Sequence, residues 1–315
     1  MVTTTLALQE KQPMTTLSRR GALLASLSMA GTPVPLQAVQ NRMSLALHQT
    51  TSAAAGFRGS LEGWSRAGIR FVELSNVLLD DFLKAEDLAV VGRILTDLGL
   101  TAVQAATGVT GLWEPNPNRA VSIAKLKARC EAYATLGLKN VYATTLTTQK
   151  IQPDDYRAGA DNMHEAGEIA REFNLSLRIE FVRTSTFIST LPTLLKTIRA
   201  AGHPNVVPMF DCYHFWSGLS KMEDMDLIRP AEIGHVHFQD VPDIPRELLD
   251  VSTRAIPGDG VSPLIEILHK LAIKDYTGPL SVELFLPRFQ QGDPFEIARE
   301  VRRKAETVMR RAGVM

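Results

Sequence analysis

From residue 43 onward the apolar and polar positions repeat as one unit: a short apolar run, a polar loop, a longer stretch with apolar residues three or four apart, then often a glycine. Apolar runs at 43–47, 69–74, 100–105, 141–145, 175–181, 206–210, 233–238 and 280–284 predict eight strands. Most are continuous rather than strictly alternating, as in strands covered on both faces. Stretches 60–67, 85–98, 122–136, 156–173, 191–201, 263–271 and 294–312 predict helices, with a weaker one near 223–228. Gly68, Gly99, Gly137 and Gly202 stand just past four of these, where a left-handed residue ends a helix at little cost. Eight successive strand–helix units close most simply into a single (β/α)8 TIM barrel, an α/β fold of about 250 residues. A doubly wound open sheet is the alternative. Its nucleotide-binding form needs GxGxxG after the first strand, and none is present.

Residues 1–40 break the pattern. Ser18-Arg19-Arg20-Gly21 is followed by an apolar stretch over 22–30, then by small residues and prolines up to Ala38. A charged start, a short apolar middle and a small-residue exit are the parts of an export signal, here of the twin-arginine type. The usual aromatic after the arginines is Ala22, and an ordinary amphipathic helix is the alternative reading. The expected organisation is an N-terminal extension over 1–40 and a barrel over 41–315, with a periplasmic destination and a cytoplasmic one as the alternative.

Bulk composition narrows the function. Thirty-four basic and 34 acidic residues cancel, and no basic run offers a nucleic-acid surface. Cys130 and Cys212 are too few for a disulfide framework and lack zinc spacing. No apolar run is long enough to span a bilayer.

A barrel of this kind carries its chemistry at the C-terminal strand ends. The fifth expected strand ends at Glu180, the sixth runs into Asp211 and His214, the seventh reads His235-Val236-His237-Phe238-Gln239-Asp240, and the eighth reaches Glu283. Four consecutive strands thus deliver a carboxylate or an imidazole to one rim. Carboxylates at apolar strand ends are costly unless paired or bound to a cation. Three carboxylates and one imidazole form a hard donor set suited to one divalent ion, Mn2+ first, with Mg2+ or Co2+ as alternatives.

The segments Arg178-Ile179-Glu180, Phe210-Asp211-Cys212-Tyr213-His214, 235–240, Pro257-Gly258-Asp259-Gly260 and Ser281-Val282-Glu283, in this order, resemble the sugar phosphate isomerase/epimerase superfamily of xylose-isomerase-like barrels. The resemblance implies that Glu180, Asp211, His237 and Glu283 bind one metal. It implies that Glu180 and Glu283 also act as base and acid, and that His214 and Arg254 touch substrate oxygens. The implied partner is a small sugar or keto-sugar; self-association into a homo-oligomer stays open. Stretch 182–186 carries no acid, where many ketose 3-epimerases have one. The same ligands serve isomerases, epimerases and the lyases or dehydratases that act on keto-sugars, 3-keto-glycosides or cyclic polyols. Abasic-site endonucleases of this fold need further ligands and a basic face, and a non-catalytic binding barrel is the alternative of another class.

Several rim residues have two readings. Glu73 and His48, at the ends of the second and first strands, and Trp113 and Trp216, on loops, are expected at the substrate. A structural salt bridge for Glu73, a packed imidazole for His48 and a mouth-covering role for the tryptophans are the alternatives. His235 reads as packed near the site, Asp240 as a loop-capping group, and His164, His203 and His269 as surface residues. The N-terminal reading predicts that protein made in its native host lies outside the cytoplasm, cut after about residue 30–40. N-terminal sequencing of fractionated cells checks this, and an intact terminus on cytoplasmic protein would refute it.

Overall fold

The computed structural model describes residues 42–315, so the twin-arginine segment lies outside the described residues. Eight parallel strands form a closed barrel in chain order: β1 Ser44–His48, β2 Phe71–Leu74, β3 Thr101–Ala106, β4 Asn140–Thr144, β5 Ser176–Glu180, β6 Val206–Asp211, β7 His235–His237 and β8 Pro279–Val282. Pairing of β8 with β1 closes the ring. The helices are α1 Gly56–Arg66, α2 Asn76–Phe82, α3 Leu88–Asp97, α4 Arg119–Thr135, α5 Asp155–Glu172, α6 Leu191–Ala201, α7 Cys212–Ser217, α8 Leu264–Ile273, α9 Pro287–Gln290 and α10 Pro294–Arg311. Among them none is long and apolar enough to cross a membrane.

The eight expected units are present, with differences in the connections. A 3-10 segment, Gln49–Ala55, precedes α1. Its first residue, Gln49, is tied to the Phe57 carbonyl, the Ser60 hydroxyl and the Ser75 amide, so this polar strand-end residue is structural. The second connection holds two helices, α2 and α3, where one was expected. After β6 the expected helix near 223–228 is a 3-10 turn, Met222–Leu227, preceded by α7. The glycines expected to end helices all have positive φ, and Asn174 takes the same conformation after α5, where no glycine is available.

Alternation along each strand divides the side chains. Leu45, Leu47, Val72, Leu74, Val141, Leu177, Ile179, Phe210, Val236, Leu280 and Val282 belong to the main core, which the helices cover. The intervening positions face the barrel axis and are mostly polar: His48, Glu73, Gln104, Arg178, Glu180, Asp211, His235 and His237 are all buried. Ala106, Tyr142 and Met209 form a small apolar cluster of their own among them. The axis is therefore filled by polar groups that must satisfy one another, rather than by the branched apolar layers common in this architecture.

Helices α1 and α10 seal the seam where the chain closes. Gly63 lets them approach, since a Cβ there would stand 2.8 Å from the Pro294 ring and 2.9 Å from the Phe295 nitrogen. Gly63→Ala is expected to cost about 1–3 kcal/mol through overpacking. A lower urea midpoint at unchanged slope would show it; a midpoint equal to wild type would mean that the helices are not in this contact.

Candidate metal and substrate site

Side chains from β1, β4, β5, β6, α7 and β7, with Gln239, Arg254 and Glu283 from the segments that follow β7 and β8, meet at the C-terminal mouth. Asp211 caps α7, its Oδ1 accepting from the His214 amide at 2.6 Å. Its Oδ2 accepts from Gln239 Nε2 at 2.6 Å. Nδ1 of His237 is the centre of the cluster: Glu180 Oε1 lies at 2.9 Å, Asp211 Oδ2 at 3.4 Å and Glu283 Oε2 at 3.4 Å. The structure thus brings together the four residues expected as metal ligands. The donor atoms of Asp211, His237 and Glu283 all lie within 4.8 Å of one another, as do those of Glu180, Asp211 and His214. Three carboxylates around one imidazole nitrogen fit a hard divalent cation.

Arg254 lies against the same group, ion-paired with Glu283 and 3.4 Å from Asp211. Its other terminal nitrogen donates to His214 Nε2 at 3.0 Å. Burial lowers the His214 pKa to about 4, so the ring is neutral at pH 7 and carries its hydrogen on Nδ1. That nitrogen is buried and has no hydrogen-bond partner among the described residues, which leaves a donor free for a ligand oxygen. The guanidinium also lies over Phe285 and Tyr213, 5.1 and 5.4 Å from the ring centres.

His48 stands 3.5 Å from Glu283. Its Nδ1 accepts from the Thr50 amide, so in the neutral ring Nε2 donates to the Tyr142 hydroxyl at 3.2 Å. Tyr142 escaped the sequence reading, although its position two residues before Thr144 on β4 placed it on the same face. Gln239, beside Asp211, was in view within the seventh-strand motif and was given no role there.

Other expected residues sit differently. Glu73 is fully buried, between Nε2 of His235 at 3.1 Å and Nε2 of His237 at 3.2 Å, and accepts from Gln104 at 2.6 Å. It lies on the far side of His237 from the carboxylate trio, paired with the two imidazoles. Trp113 is only 2% exposed, with its indole nitrogen donating to the Thr144 carbonyl. Trp216 packs on Tyr213, Val241 and Leu249. Asp240 caps the glycine loop: Oδ1 accepts from the Val241 and Ser262 amides at 2.8 and 2.9 Å, Oδ2 from Gly258 and Gly260 at 3.0 Å. His203, read as a surface residue, is instead buried, with Glu168 at 2.8 Å.

The electrostatics follow from burial. Around the barrel axis four buried carboxylates, Glu73, Glu180, Asp211 and Glu283, face two buried guanidiniums, Arg178 and Arg254. Burial pushes the Glu180 carboxyl up to about 8 against the pull of His237. Burial also opposes ionisation of Asp211, Glu73 and Glu283, but the Arg254 charge prevails at Asp211 and the His237 charge at the other two, holding all three low. His237 is held well above its ordinary value: burial lowers it, and the surrounding glutamates more than reverse that. One proton on His237 and one on Glu180 thus offset the two negative charges that the guanidiniums leave over.

A family profile described as a xylose isomerase-like TIM barrel matches residues 63–308. A protein named inosose isomerase from Bacillus velezensis is 27% identical over 266 residues, 82% of this chain and 94% of that protein. A second of that name, from Halalkalibacterium halodurans, is 28% identical over 172 residues, and the match spans only 61% of its length. A 3-dehydroshikimate dehydratase from Pseudomonas putida is 27% identical over 156 residues, 23% of that protein. Among solved structures, the IolI protein with a bound zinc atom superposes with a TM-score of 0.80 at 22% identity, covering 87% of this chain and all of that one. An L-ribulose 3-epimerase superposes with a TM-score of 0.68 at 19% identity, covering 86% and 95%. With the barrel, the strand-end site and a profile match over most of its length, the chain belongs to the xylose isomerase-like TIM barrel family.

Proposed function

We propose that this protein is a divalent-metal-dependent isomerase or epimerase that moves a proton on the carbon next to a carbonyl, in a keto-sugar or cyclic polyol ketone. The observation that carries the reading is the convergence of Glu180, Asp211 and Glu283 on Nδ1 of His237. The near full-length match to an inosose isomerase supports the substrate class.

Glu180, Asp211, His237 and Glu283 would hold the cation, Mn2+ by preference for a hard, oxygen-rich set, with Mg2+ or Co2+ as alternatives. When bound, such an ion supplies Lewis-acid polarisation of a carbonyl and a neighbouring hydroxyl. Glu283, kept ionised, takes the proton from the adjacent carbon. The C–H electron pair becomes the enediolate double bond, and the carbonyl π pair moves onto oxygen. The Arg254 guanidinium and the Nδ1 hydrogen of His214 are the donors available to that oxygen. Glu180, after taking a proton from water, delivers it on the other face to give epimerisation, and Glu283 releases its own to water; return on the neighbouring carbon gives isomerisation. Loss of a β-substituent makes the same site a dehydratase. The dehydratase relative and the acid-free stretch 182–186 favour this second reading. The twin-arginine segment would place either activity in the periplasm.

Metal binding should displace the protons on His237 and Glu180. Calorimetry in buffers of different ionisation enthalpy is therefore expected to show about two protons released per Mn2+ near pH 7. Above pH 8, where Glu180 is ionised, the number falls toward one, and affinity goes on rising with pH at a shallower slope while His237 still holds its proton. Release of less than one proton at pH 7 would contradict this charge assignment.

Glu283→Gln keeps an oxygen ligand and removes the base, so turnover should fall about 10²–10⁴-fold while metal is retained. Asp211→Asn should act through metal affinity and recover in part with excess Mn2+. Assays on inososes and keto-sugars in D2O should place deuterium on the carbon next to the carbonyl, or show loss of that proton in an eliminated product. Complete intramolecular retention of hydrogen would exclude proton transfer through solvent-exchanging groups. A protein that takes up no stoichiometric metal would instead be a binding barrel.

A further inference from the structure

Beneath the mouth, polar groups that the proposed chemistry does not use connect to the His237 ligand. Arg178 Nη1 donates to Gln104 Oε1 at 2.8 Å. A guanidinium has no acceptor, so this contact fixes which end of the Gln104 amide faces it. The amide nitrogen is thereby turned to Glu73 Oε1, at 2.6 Å. The Glu73 carboxylate meets two further nitrogens, Nε2 of His235 at 3.1 Å and Nε2 of His237 at 3.2 Å. Arg178 is 8% exposed and the other four groups are fully enclosed, so bulk water cannot take over any of these bonds.

We propose that Glu73 is the positioning residue for the His237 ligand, a proposal that rests on the metal reading given above. An ionised carboxylate is acceptor-only. Facing it, His237 carries a hydrogen on Nε2, which leaves Nδ1 as the lone-pair nitrogen toward Glu180, Asp211 and Glu283 once the ring is neutral. Gln104 and Arg178 hold the carboxylate in turn. A carboxylate behind a ligating imidazole fixes its tautomer and ring angle and raises its basicity. Glutamine at position 73 could not do the same. Three converging donors would meet an amide whose NH2 end is itself a donor, and one buried donor would lose its acceptor.

The same three groups, Glu73, His235 and His237, could instead hold a second cation, since their donor atoms also lie within 4.8 Å of one another. Two observations weigh against that. Gln104 already uses one oxygen of Glu73, and a bound ion would need the lone pairs of both Nε2 atoms.

The test is a Co2+ titration of the full chain in competition with a chelator, with the visible d–d spectrum of the Co2+ protein as a second readout. Wild type is expected to bind one Co2+. Glu73→Gln and Glu73→Ala are expected to weaken binding about 10–100-fold and to shift the spectrum; Glu73→Asp should restore part of both. Gln104→Met, which touches neither His237 nor the expected ligands, should show a smaller shift of the same sense. If the Glu73 variants fail to fold by circular dichroism, Gln104→Met decides the matter. Wild-type affinity and spectrum in a folded Glu73→Gln, or in Gln104→Met where that variant decides, overturns the positioning role. So does uptake of two Co2+ by wild type. A wild type that binds no Co2+ overturns the metal reading and this proposal together.

Discussion

Charge balance along a closed axis is the constraint on which this structure turns. Around that axis four carboxylates and two guanidiniums are buried, and an uncompensated buried charge is among the most expensive features a protein can carry. Two further positive charges are needed. Protons on His237 and Glu180 are one way to supply them, and a divalent cation is the other. The two states have equal net charge, so exchange between them need not disturb the surrounding packing.

The fold makes this arrangement possible by giving the apolar residues another place to go. Because helices cover the outer face of every strand, the main core forms between strands and helices. The axis is then free to hold Gln104, Arg178 and His235 in place of branched side chains. The loop after β7 brings the last cation to the mouth: Asp240 and Ala255 pair through both backbone groups, and Arg254 is the residue just before Ala255. The anchor of that pairing, Asp240, is itself fixed by four amides.

Much of this was legible in the sequence because a parallel barrel converts strand order into spatial order. Glu180, Asp211, His237 and Glu283 each end a strand or follow one directly, so their convergence needed no knowledge of packing. Depth was not legible. Glu73 also lies at a strand's C-terminal end, one residue before Leu74, yet its carboxylate turns to the far side of His237, a choice made by Gln104 and by two histidines on β7 rather than by local pattern. Tyr142 was hidden because 141–145 reads as a continuous apolar run, which leaves the inward positions unmarked. The connections were harder still: Gln49–Ala55 and α7 are too short for a helical period to register. His203 was misplaced because a residue past a helix end can still be covered by its neighbours, here Glu168 and His164.

The loop 257–260 has one more consequence. Successive glycine-rich amides converging on a point are how many enzymes seat a phosphate. Here that seat is taken by a carboxylate tethered through its own backbone, present at an effective concentration no free anion can match. A phosphorylated sugar reaching this rim would find the glycine amides already engaged. This stretch of loop is built for rigidity rather than for holding a phosphoryl group.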